Sequence, residues 1–108
     1  MNMQPEPRTD CPVARSLDLL GDRWTLRIVR DLLLDGMVTF SHLEKTVAGA
    51  NPSTLSNRLK RLELAGLIER KLYSDHPPRA AYSLTETGKN LAPVVAALRD
   101  FGETLSEK

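Results

Sequence analysis

Residues 51–66 read NPSTLSNRLKRLELAG. This stretch carries its own start and stop. Asn51 is a strong N-cap residue, Pro52 suits a first helical position, and Gly66 stands where a helix commonly ends. At about 100° per residue, Leu55, Leu59 and Leu62 share one narrow arc and form the buried face. Ser53, Asn57 and Lys60 fall opposite them, and Thr54, Arg58 and Arg61 lie along one flank. A solvated helix face normally mixes charges, yet no Asp or Glu occurs between Asn51 and Arg61. Short hydrogen-bonding side chains followed by cations suit base edges and phosphates. The helix N-terminus adds unpaired N–H groups and partial positive charge. Leu64 falls on the outward side and is expected to pack near the base of the following hairpin.

Working outward, LIERKLY alternates in part, SDHPPR reads as a turn and AAYSL as a second strand, which predicts a β-hairpin over about 67–84. Upstream, Pro12 opens a helix through Leu20 with Gly21 as its C-cap. Asp22 is expected to cap a second helix through about Leu34. Its apolar residues Trp24, Ile28, Val29, Leu32 and Leu33 place it centrally in the core. Asp35-Gly36 breaks this helix, and Met37 to Phe40 reads as a small strand. Ser41 and Glu44 have capping-box spacing and are expected to start a short third helix. Downstream, Thr85 is expected to cap a last helix over about 86–105. Leu91, Val94, Leu98, Phe101 and Leu105 then form a heptad-like seam, with an interrupted start or kink at Pro93. Residues 1–9, with Pro5 and Pro7 and no apolar pattern, read as a flexible arm. The expected fold class is mostly α with a small β-hairpin wing: a winged helix-turn-helix over residues 10–108. Its recognition helix would span about 52–65.

The chain has 108 residues, one domain by length, with a net charge of +1. Such a balance does not by itself announce a nucleic-acid partner. The local distribution does: from Arg58 to Arg79 there are six Lys and Arg against Glu63, Glu69 and Asp75. Lys71, His76 and Arg79 belong to this basic stretch. A single cysteine excludes an internal disulfide and suits a reducing compartment. With no apolar run of spanning length and a polar N-terminus, no membrane association and a cytoplasmic location are expected. No cofactor is implied. His42 and His76 have no partner at metal-ligand spacing, and TGKN lacks the upstream glycine of a phosphate loop. No nucleophile-elbow or dinucleotide motif points to an enzyme. Asp22-Arg23-Trp24 is read as a capping acid before a core tryptophan.

Three stretches together resemble the HxlR family of MarR-like bacterial transcriptional regulators: CPVARSLDLLGDRWTLRIVRDLL, TFSHLEKTVAGANPSTLSNRLKRLELAGLIERKLY and PPRAAYSLTETGKNLAPVVAALRDFGE. The resemblance covers roughly residues 10 to 103. It implies a homodimer binding double-stranded DNA at a near-palindromic operator, with an interface from the first and last helices. That interface would use Val13 and Leu17 with Leu91, Val94, Leu98, Phe101 and Leu105. DNA contacts would come from Ser53, Thr54, Asn57, Arg58, Lys60 and Arg61 on the helix and Lys71, His76 and Arg79 on the wing. Ser41 and His42 would lie at the DNA backbone beside the third helix.

Cys11 precedes Pro12 at the start of the first helix, where the helix dipole, Arg8 and Arg15 favour a thiolate. In some members of the family a cysteine at this CPV position senses oxidants or electrophiles. Cys11 is thus a candidate redox sensor, and an oxidant or a small molecule a candidate effector; the plain reading is a small packing residue. The competing function is a winged-helix protein–protein interaction module without specific DNA binding.

Overall fold

The computed structural model describes residues 11–105. The expected N-terminal arm lies outside them. The elements are α1 (Pro12–Leu20), α2 (Thr25–Asp35), β1 (Val38–Thr39), α3 (Phe40–Thr46), α4 (Pro52–Leu64), β2 (Ile68–Asp75) and β3 (Pro78–Leu84). A 3-10 turn (Gly88–Leu91) and α5 (Ala92–Thr104) complete the chain. This is the expected winged helix-turn-helix: α3 and α4 joined by a short turn, then a hairpin.

The core is built from the middle of the chain. Ile28, Val29 and Leu32 of α2 meet Leu43 of α3, Val47 and three of the four leucines of α4, with Val38, Ile68 and Leu84 from the sheet. Leu55, Leu59 and Leu62 are all buried, as their spacing requires. α4 begins and ends as expected: the Asn51 side chain accepts the Thr54 N–H at 2.8 Å, and Gly66 takes φ 79°, a left-handed conformation that suits glycine.

The sheet has the order β1-β3-β2, all antiparallel. β1 pairs Val38 with Tyr82 and Thr39 with Ala81, so a two-residue strand ties the start of α3 to the wing. The hairpin strands run longer than expected and leave only His76-Pro77 at the tip. Leu72 pairs with Ala80 and Ser74 with Arg79, so Tyr73 is an extra residue in a bulge.

Four expectations need correction. α3 starts at Phe40, and its cap is Thr39, whose hydroxyl accepts the His42 N–H at 3.1 Å. The Ser41–Glu44 capping box therefore does not form; strand pairing at Thr39 fixes the start earlier. Regular helix in α2 opens only at Thr25, although Asp22 does cap its first turn. The last helix is split. Thr85 caps the 3-10 turn, accepting the Gly88 N–H at 3.0 Å, and α5 follows with Pro93 in its first turn, which is the interrupted start expected there. Leu64 does not reach the hairpin base: it is 81% exposed.

The entry to the last helix depends on a close approach. A Cβ on Gly88 would lie 2.0 Å from the Leu67 carbonyl oxygen and 3.0 Å from a Leu84 methyl. Gly88→Ala is therefore expected to cost about 3 kcal/mol, seen as a fall of more than ~10 °C in Tm. An unchanged Tm would show that the junction gives way freely.

Candidate nucleic-acid interface

α4 lies with Leu55, Leu59 and Leu62 sealed inside, so its opposite face is fixed outward. Ser53, Ser56, Asn57 and Lys60 are exposed and Thr54 is half-buried. The helix N-terminus is exposed there too, at Asn51 and Pro52. Its first turn holds no acid. This is a surface of short donors, acceptors and one exposed cation around a positive helix end.

Arg58 and Arg61 behave differently from that face. Arg58 is only 24% exposed, with its Nε 3.3 Å from Asp22 Oδ1. That nitrogen is buried and makes no hydrogen bond, so the contact is an ion pair. Arg58 Nη1 donates to Asn57 Oδ1 at 2.6 Å. Arg61 Nη2 donates to the Asp18 carbonyl at 2.8 Å, and its other terminal nitrogen lies 4.0 Å from Asp22 Oδ2. Both arginines thus bind the corner between α1 and α2 rather than standing free. The carbonyl that Arg61 reaches belongs to the last turn of α1, where a cation meets the negative helix end.

Asp22 gathers these contacts. Its Oδ1 accepts the Trp24 N–H at 2.8 Å and the Thr25 N–H at 2.9 Å, and its Oδ2 accepts the Thr25 hydroxyl at 2.7 Å. Burial alone would raise the carboxyl pKa. The hydrogen bonds from Thr25 and Trp24 and the Arg58 charge outweigh it and hold Asp22 at about 2. Beside it, the Trp24 ring packs on the core, with the Arg23 and Arg27 guanidiniums each 5.3 Å from its centroid. Arg27 also donates to the Ala48 carbonyl at 3.3 Å, in the turn between α3 and α4.

α3 is held to α2 on its other side. Buried Asp31 accepts the Thr46 hydroxyl and pairs with Arg30 at 3.2 Å. His42 Nε2 lies 3.0 Å from Asp35 Oδ2, so its ring turns toward the end of α2. Ser41 is exposed in the first turn of α3. It shares a shallow cavity of about 200 Å³ with Tyr73 and Arg79 of the wing, so the structure brings Ser41 and Arg79 together. Lys71 and His76 are exposed along the wing. Arg70 approaches Glu63 of α4, at 3.9 Å, and so braces the wing base against the helix.

The expected interface residues divide as well. Val13 and Leu17 on α1 and Val94, Leu98, Phe101 and Leu105 on α5 are exposed, and α5 buries no residue of its own. Leu91 instead packs against the core from the 3-10 turn, so the free seam begins at Val94. Cys11 is the N-cap of α1, and its sulfur accepts the Ala14 N–H at 3.3 Å. Arg8 lies outside the described residues. Among the described residues no helix is long and apolar enough to cross a membrane.

Sequence reasoning placed Arg58 and Arg61 on the outer flank but missed Asp22 and Asp18 as their partners. It missed Tyr73 beside Ser41 as well. No local pattern signals these contacts, because each joins segments distant in the chain.

A capped helix with an acid-free outer face, a turn behind it and a hairpin beside it define a winged helix-turn-helix DNA-binding protein. The HxlR-like helix-turn-helix family model matches residues 19–108, and the chain belongs to that family of transcriptional regulators. It is 36% identical over 98 residues to the HTH-type transcriptional regulator YdeP of Bacillus subtilis, covering 91% of this chain and 76% of YdeP. The redox regulator HypR in its oxidized form superposes with a TM-score of 0.82 at 31% identity, covering 91% of this chain and all of HypR (100%). Reduced YodB, a transcriptional regulator from B. subtilis, matches with a TM-score of 0.73 at 32% identity, over 90% and 95% of the two chains. The chain is thus a regulator and not an enzyme.

The Asp22 carboxylate makes a pH prediction. Its folded pKa of about 2 lies below the ordinary 3.8. Its contribution is complete above the ordinary value and is lost as pH falls through the folded one. Asp22→Asn keeps a capping oxygen but removes the charge. Thermal melts at pH 4, 3 and 2 are expected to show a shallower loss of Tm in this variant than in the wild type. Parallel curves would mean that Asp22 carries no charge-dependent stability.

Proposed function

We propose that this regulator works as a homodimer that reads a near-palindromic operator. The observation that carries this is the pairing of an acid-free outer face on α4 with an apolar seam left bare on α5. A two-fold arrangement through α5 and α1 would present two α4 helices to successive major grooves, about 34–36 Å apart. Ser53, Thr54 and Asn57 would face base edges or phosphates from the helix N-terminus, and Lys60 the backbone further along. Lys71, His76 and Arg79 would follow the phosphates along the wing, with Ser41 beside Arg79. Arg58 and Arg61, predicted as DNA contacts, would act mainly through their hold on the α1–α2 corner. His42, turned to Asp35, would contribute less than Ser41. A regulator of this kind works in the cytoplasm, beside the DNA.

Cys11 supplies a candidate input. It caps α1, the helix whose Val13 and Leu17 would enter the dimer interface, so a change at its sulfur would reach the interface directly. HypR and YodB, both similar in fold, support this reading, HypR being a redox regulator. The co-reactant would be an oxidant or electrophile.

Fluorescence anisotropy against the chain's own upstream DNA, with random DNA as competitor, tests the main reading. Tight, competitor-resistant binding is expected. Lys60→Ala and Arg79→Ala are each expected to weaken it and to lower the slope of log K against log salt by ~1. Phe101→Glu, measured by light scattering, is expected to give a folded monomer with little operator affinity; a tight dimer would remove the seam from the interface. Oxidant is expected to shift the affinity of the wild type and not that of Cys11→Ser, and an equal response in both proteins would remove Cys11 as the sensor.

A further inference from the structure

Asn57 is exposed on the outer face of α4, and its carbonyl oxygen accepts from Arg58 at 2.6 Å. That oxygen has a second lone pair, and the amide nitrogen has two protons. An oriented amide of this kind can present one donor and one acceptor side by side, the pattern that matches N7 and N6 of adenine in the major groove. A freely rotating exposed amide would have to be ordered on binding, at an entropic cost. Here the orientation is supplied by Arg58, which is itself held from the other side by Asp22 at 3.3 Å. The Asp22 carboxylate is fixed in turn by Trp24 and Thr25, at the corner of the fold. Three side chains thus connect the packed α1–α2 corner to one outward amide.

We propose that Asp22 is a positioning residue for base recognition: through Arg58 it orients the Asn57 amide, which reads an adenine in the operator. This rests on α4 being the DNA-reading helix. Asp22 touches no DNA in this arrangement. Its side chain faces Arg58 and Arg61 from α4 and Thr25 from α2. Losing its charge releases Arg58 to bind phosphate anywhere, while Arg61 keeps its bond to the Asp18 carbonyl. The consequence is specific: base preference falls while affinity for random DNA does not.

The test is selection of binding sites from a randomised DNA pool by the full chain, followed by anisotropy on the selected site and on single-base variants. The wild type is expected to select a half-site with an adenine whose replacement weakens binding roughly tenfold. Asn57→Ala is expected to lose that preference and keep the others. Asp22→Asn is expected to lose most of it too, with random-DNA affinity equal or higher, and the Asp22→Asn/Asn57→Ala double variant to match Asn57→Ala alone. Arg58→Lys keeps the charge without the fork and is expected to resemble Asp22→Asn, which guards against a folding defect in either variant. If Asp22→Asn and Arg58→Lys keep the adenine preference, or weaken specific and random binding equally, the positioning role is overturned while operator reading stands. If the wild type selects no sequence at all, operator reading by α4 falls and this inference falls with it.

Discussion

Three leucines on α4 constrain everything that this protein shows to its surroundings. With Leu55, Leu59 and Leu62 sealed in the core, the helix cannot roll without exposing apolar surface. Removing any one of them would leave a cavity worth roughly 2–5 kcal/mol. The outward direction of Ser53, Asn57 and Lys60 follows from that burial. A recognition surface made of exposed polar side chains gains its definition from the buried face behind it.

Electrostatics then refines what packing begins. The chain's charges nearly cancel, yet the cations nearest the outer face are not equivalent. Lys60 and Lys71 stand exposed, whereas Arg58 and Arg61 lean on Asp22 and on the end of α1. An arginine fork can bridge two elements where a lysine would present a single point of charge. α1 buries only Leu20, and the Arg61 bond to Asp18 ties its last turn to α4. The helix that Cys11 caps is thus joined directly to the reading helix.

Much of this was legible in the chain itself, wherever the determining contacts are local. Asn51, Pro52 and Gly66 bound α4 through hydrogen bonds and backbone angles a few residues long. The leucine spacing gave its buried face, and the turn residues near Pro77 gave the hairpin. The start of α3 was not legible, because Thr39 and Ser41 can both cap, and the pairing of β1 with β3 decides between them. Leu91 looked like seam because its spacing fits. Its burial follows from the 3-10 turn that Gly88 permits against Leu67. The basic face was visible as composition, but its division into free and engaged arginines depends on Asp22, far away in sequence. Leu64 had no local partner, and the fold supplies none.

The bulge at Tyr73 has a consequence for the wing's outer side. β3 is paired on both flanks, but β2 ends the sheet, and an eight-residue edge leaves backbone donors and acceptors open to any other strand. Glu69, Arg70 and Lys71 line that strand with charge, and the inserted residue bends it two-thirds of the way along. A straight incoming strand would lose its register at Leu72. The hairpin can therefore stay extended and exposed beside a ligand without becoming a template on which further copies of the chain add edge to edge.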